Sequence, residues 1–227
     1  MFIRTATTVL FALLGFAQVA HADYNRTYEV TITNLTRGQS FTPQLVATHR
    51  GNIRLFELGS PASLAVEKLA EAGDTAPLTE DLLSKPNLVS DVTTIPGLLL
   101  PGQSITVEVS ASYYHRYISM AAMLIPTNDT FVALNRVRLP FRGSRSVLAL
   151  AYDSGTEFND QNCANIPGPR CQGEGFSPGP NEGDEGYVYV SNGFHNLPAT
   201  DAEGEVLGPA VYDWRNPVAR VVVKRIH

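Results

Sequence analysis

The chain has 227 residues, is 44% hydrophobic and 17% charged, and carries a net charge of −5. That balance, with no basic stripe along the sequence, argues against nucleic acid as a partner, because nothing would match a row of phosphates, and against an anionic membrane surface. The length suits one large β domain with a sizeable core.

Residues 1–22 read as a signal peptide. Arg4 supplies a positive start, residues 8–20 are apolar, and Ala20-His21-Ala22 has the small-x-small form of a cleavage site. The apolar run falls short of the ~20 residues a spanning helix needs. The mature protein is therefore expected to be residues 23–227, beginning at Asp23, secreted or periplasmic, with no membrane span.

The first expected strand is YEVTITNL, residues 28–35. Tyr28, Val30 and Ile32 fall on one face and Glu29, Thr31 and Thr33 on the other. Residues 44–49 form a second strand and residues 52–57 a short third. Ser60 is a suitable N-cap with Pro61 in the first turn, so a helix is expected from there to Ala72, stopped by Gly73. A second short helix covers residues 77–84 and ends before Pro86. Everything beyond reads as β: 104–109, 117–125, 131–134, 147–152, 187–191 and 218–226. About eight short strands separated by turns predict a mainly β fold, an antiparallel β-sandwich with one or two short helices. Trp214 is expected in the core.

Cys163 and Cys171 are the two cysteines. In an exported chain a close, even pair predicts a disulfide, here closing the loop CANIPGPRC. A loop of that size is worth roughly 2–3 kcal/mol in the chain-entropy model.

The stretch VLALAYDSGTEFND, residues 147–160, runs as an apolar strand and breaks abruptly at Asp153-Ser154-Gly155. Two readings of Asp153 stand. It caps the turn by accepting backbone N–H bonds, or it is one of several strand-end oxygens around a hard cation. Glu108, on the polar phase of SITVEV, and Asp129, in the turn after residues 117–125, are the other candidates. Ca²⁺ takes six to eight oxygens from carboxylates and carbonyls, but spacing alone does not bring the three together. The acidic segment 172–186, with Glu174, Glu182, Asp184 and Glu185, lacks EF-hand spacing and reads as a solvated loop. His115 and His195 have no zinc-type partner nearby. There is no G-x-S-x-G elbow and no free nucleophilic cysteine.

The segments SMAAMLIPTNDTFVALN, LALAYDSGTEFND and NPVARVVVKRI follow one another in the pattern of a known family. They resemble the spondin N-terminal domain, the F-spondin/mindin type, which also occurs in single-domain bacterial proteins. YEVTITNLT and LAVEKLAEAGD match it more loosely. The resemblance implies a C2-like antiparallel sandwich with one Ca²⁺ at an end of it, its carboxylate ligands falling on Glu108, Asp129 and Asp153. The loop at 161–186 departs from animal members, and Glu108 lies in a segment that differs from them in length. The expected function is a secreted, non-catalytic Ca²⁺-binding module for adhesion or binding, its partner an unknown protein or glycan surface ligand. Two alternatives stand beside it: a metal-dependent hydrolase using the carboxylate cluster, and a purely structural envelope protein.

Overall fold

The computed structural model describes residues 25–194 and 206–227. The expected signal peptide and cleavage site at residues 1–22, with Asp23 and His195, lie outside the described residues. In chain order the elements are β1 (Arg26–Asn34), β2 (Ser40–Phe41), β3 (Gln44–His49), α1 (Leu64–Ala72), α2 (Ala76–Leu83), β4 (Val89–Ile95), β5 (Ser104–Ala111), β6 (Tyr117–Ile125), β7 (Thr130–Arg138), β8 (Ser144–Asp153), α3 (Gly168–Cys171), β9 (Tyr189–Val190), α4 (Pro209–Tyr212) and β10 (Ala219–Arg225).

The strands pair antiparallel in the order β4-β3-β6-β7-β8-β10-β1-β5, with β2 added to β6 and β9 to β8. Strand β8 joins two halves. Its residues 144–149 pair with β10, and its residues 150–153 pair with β7. The edge strands then approach each other through side chains: Ser110 N donates to Asp91 Oδ2 at 2.6 Å and Ser112 N to Ser90 Oγ at 3.0 Å. The sheet is nearly closed and sandwich-like, which protects strand edges that would otherwise expose unpaired backbone groups.

Period-2 alternation places Tyr28, Val30 and Ile32 in the core, each at most 1% exposed. They meet Met120, Leu124, Val132, Val221 and Trp214. The opposite face of β6 and β7 is also covered. There Leu45, Phe131 and Ala133 pack against Val66 and Leu69 of α1 and Leu78 and Leu82 of α2. Burial on both faces explains why β6 is an almost unbroken apolar run.

Three local expectations change. Residues 52–57 are not a strand. Asn135 holds that backbone instead, its Oδ1 accepting from Leu55 N at 3.0 Å and its Nδ2 donating to Phe56 O at 2.8 Å. Helix α1 starts at Leu64, capped by Ser63 rather than Ser60. Ser60 O is taken by Val188 N at 2.9 Å, which ties that residue outside the helix. Strand β4 was not anticipated, because only Val89 and Ile95 of VSDVTTI are buried. It is an edge strand held by backbone pairing to β3. Gly73 does end α1, in the left-handed conformation at φ 66°.

The disulfide joins Cys163 to Cys171 with a Cα–Cα distance of 4.6 Å. It links a 3-10 turn at Cys163–Asn165 to the end of α3, inside the long segment after β8. That segment lies against the end of the sheet where β6 leaves for β7 and β8 terminates. Asn128 Nδ2 donates to Asp160 Oδ1 at 3.0 Å, and Gln161 N donates to Asn128 Oδ1 at 3.2 Å.

Candidate functional site

The β6–β7 turn is built to point Asp129 inward. Thr127 Oγ1 donates to Leu124 O at 2.6 Å and accepts from Thr130 N at 3.2 Å. The pairing of Thr130 with Asp153 then sets Asp129 beside the end of β8. Asp129 is 0% exposed and Asp153 2%. Asp129 organises the turn that follows β8. Its Oδ2 accepts from Thr156 N at 2.8 Å, Glu157 N at 3.1 Å and Ser154 Oγ at 3.0 Å. Its Oδ1 is buried with no hydrogen-bond partner among the described residues.

Asp153 does cap its turn. Oδ1 accepts from Gly155 N at 3.0 Å and Oδ2 from Asn159 Nδ2 at 3.1 Å. Asn159 also donates to the Tyr189 hydroxyl at 3.1 Å, which donates to Glu185 Oε1 at 3.2 Å. Gly155 makes the sharp bend possible at φ 65°, and a Cβ there would lie 2.3 Å from Tyr187 O. Gly155→Ala is expected to cost at least about 1–2 kcal/mol from the left-handed backbone alone, read as a lower urea midpoint. An unchanged midpoint would mean that the turn does not hold this shape.

Two further acids complete the cluster. Glu157 is 7% exposed and Glu71, on α1, is 1% exposed. Ser177 bridges them, its hydroxyl donating to Glu157 Oε1 at 2.6 Å and its N–H to Glu71 Oε2 at 3.0 Å. Among the described residues Glu157 Oε2 and Glu71 Oε1 have no hydrogen-bond partner. Among the described residues none of these four carboxylates forms an ion pair. Burial is the largest cause for each and raises them all, with repulsion from neighbouring acids adding to it. Glu71 rises to about 7 and Glu157 to about 8. Asp129 is raised by burial, opposed by its backbone bonds. Asp153 is raised well above the carboxylate range by burial and then by the Asp129 charge.

A cleft of about 320 Å³ opens beside the cluster, lined by Asn128, Glu157, Asp160, Asn165, Glu174 and Ser177, among others. The acidic segment beyond it is largely solvated, with Glu174, Glu182 and Glu185 exposed.

Asp129 and Asp153 thus come together, but Glu108 does not join them. It is exposed on β5 and lies in the row Glu108–Glu29–Lys224–Ser144. Ser144 begins β8, and Asp153 ends it. At about 3.3 Å per residue that separation is about 30 Å. Alternation is the physical reason, since Val107 and Val109 face inward and turn Glu108 out. Among the described residues no three His, Cys, Asp or Glu side chains surround a common point as metal ligands. A cation at Asp129 and Asp153 would complete its shell from carbonyls, amides, hydroxyls or water. The donor set fits a hard cation: it is all oxygen, with the buried Asp129 Oδ1 free to accept.

Sequence reading missed Glu157 and Glu71. Glu157 had a signal, lying four residues after Asp153 in the central stretch. Glu71 had none, since it reads as an ordinary charged position of an amphipathic helix.

A family model described as Spondin_N matches residues 20–163. The match spans β1 to β8 and includes Asp129, Asp153 and Glu157. Strand β10 lies beyond it, yet is hydrogen-bonded between β8 and β1. No curated protein matches the chain.

Proposed function

Since the chain belongs to the spondin N-terminal domain family, a family of non-enzymatic extracellular domains, we propose that it is a secreted, calcium-dependent binding module. One observation carries this reading. Asp129 and Asp153 are buried side by side, and among the described residues they have no cationic partner and one oxygen of Asp129 has no hydrogen bond. Buried charge in that condition needs a proton or a cation. Asp129 and Asp153 would hold Ca²⁺, which supplies positive charge that neutralises the pair. Asp129 already fixes the turn at Ser154–Glu157 through its other oxygen. An ordered turn here presents the adjoining loops and cleft to a protein or glycan ligand on a surface, which is the adhesion role proposed for the chain.

Calorimetric titration of calcium chloride into chelator-treated protein tests the site. Wild type is expected to bind with a dissociation constant of roughly 10⁻⁴–10⁻³ M, the range of extracellular modules. Asp129→Asn and Asp153→Asn are expected to lose that heat, and Glu108→Gln to keep it. No saturable heat in wild type, or equal heat in the Asp variants, would overturn the assignment.

A further inference from the structure

At the opposite end of β6 and β7 from Asp129, three arginines converge on one pocket. The pocket, of about 220 Å³, is lined by Arg26, Arg116, Arg138, Tyr28, Tyr113 and Phe141, with no carboxylate among its lining residues. Arg26 opens β1, Arg116 precedes β6, and Arg138 closes β7, so three separate segments converge. The aromatic rings hold two of the guanidinium groups. The Arg26 guanidinium carbon lies 5.1 Å from the Tyr113 ring centre and 5.7 Å from that of Phe141, and Arg116 lies 5.0 Å from Tyr113. Arg116 Nε donates to Tyr113 O at 3.3 Å. The side chains of Arg26 and Arg138 have neither hydrogen bond nor ion pair among the described residues.

Tyr28 adds an independent observation. It is 1% exposed and lines the pocket, yet its hydroxyl has no hydrogen-bond partner among the described residues. A nearly buried donor beside three permanent cations, with no side-chain carboxylate facing them, is the complement of an oxyanion. Guanidinium groups match the paired oxygens of phosphate and sulfate bidentately. The rim continues the character, with Arg142 and Arg225 each 5.7 Å from the Phe141 ring and Phe141 itself 65% exposed. Arg225 is already engaged by Phe141 O at 2.7 Å and His227 O at 2.9 Å, so it shapes the rim rather than the pocket.

We infer that the Arg26–Arg116–Arg138 pocket binds the phosphate or sulfate ester group of a surface ligand, with Tyr28 donating to one of its oxygens. The site stands apart from the carboxylate end and does not depend on calcium. The net charge of −5 gives no sign of it, because it sums over the whole chain.

The test follows the arginine Nε–Hε resonances during titration with sodium sulfate, glucose 6-phosphate and glucose, in calcium and again in chelator. Sulfate and glucose 6-phosphate are expected to give saturable shifts at Arg26, Arg116 and Arg138 in both conditions, weakening as salt rises, with glucose giving none. Arg138→Ala is expected to raise the dissociation constant about tenfold or more, the usual worth of a charge-assisted bond. Tyr28→Phe is expected to raise it several-fold with its melting temperature unchanged. Sedimentation with phosphatidylglycerol vesicles, compared with competition by glucose 6-phosphate, separates a lipid headgroup from a soluble ester as the source; either supports the pocket. Absence of a saturable shift with every anion, or equal shifts in Arg138→Ala and Tyr28→Phe, overturns it.

Discussion

Chelator-treated protein is expected to be more stable at pH 5 than at pH 8. Four buried acids with raised pKa values determine the direction. Glu71 moves from 4.5 to about 7 and Glu157 from 4.5 to about 8, with Asp129 and Asp153 displaced the same way. In this pH range the folded chain holds protons that the unfolded chain has released. The resulting stabilisation is complete below the unfolded value and is lost as pH rises through the folded one. For Glu157 that window runs from 4.5 to about 8. Each unit of displacement corresponds to about 1.4 kcal/mol, and each kcal/mol to about 2–4 °C in a domain of this size. A fall of several degrees between pH 5 and pH 8 is therefore expected by scanning calorimetry, and Glu157→Gln should flatten it. Calcium binds the deprotonated acids, so its stabilising effect should be larger at pH 8 than at pH 5. A melting temperature that rises from pH 5 to pH 8 in chelator would contradict the burial of this cluster.

Phe131→Ala is expected to destabilise the fold by about 3–5 kcal/mol, the usual cost of emptying a buried aromatic site. Phe131 is 1% exposed, and its ring centre lies 5.1 Å from Phe56, edge-on, and 5.8 Å from Tyr152. These rings fill the layer between β7, β8 and the helices. Phe131 also pairs directly with Tyr152, the neighbour of Asp153. The substitution should therefore weaken calcium binding as well as stability, because the cavity opens one residue from the carboxylate pair. Urea unfolding measures the first effect and calcium titration the second. A cost below about 1 kcal/mol would mean that the layer under the helices is loosely packed.

Much of the fold was legible because its signals are local. Alternation identified Tyr28, Val30 and Ile32 as inward, and the apolar run at 117–125 marked a strand. The Gly73 stop and the paired cysteines were equally direct. Segments whose backbone is satisfied by distant groups were not legible. Residues 52–57 look like a strand, but Asn135 holds them from about eighty residues away. Strand β4 is specified by pairing with β3 more than by its own pattern. The site divided along the same line. Asp129 and Asp153 sit at abrupt strand ends, a local feature. Glu108 was placed by a resemblance in a segment of altered length, and alternation on β5 carries it outward, about 30 Å along the strands from the pair. Glu71 reaches the cluster only because α1 packs against that end of the sheet. The arginine pocket draws on three segments far apart in sequence, so no window of the chain displays it.

The most direct test of the calcium assignment is thermal melting at pH 8 in saturating calcium against chelator. Calcium at about 100 times its dissociation constant should add roughly 2.7 kcal/mol, a rise of several degrees. Asp129→Asn and Asp153→Asn should abolish the rise, while Glu108→Gln and Glu174→Gln should retain it. Identical melting of the wild-type protein in calcium and in chelator would contradict the account.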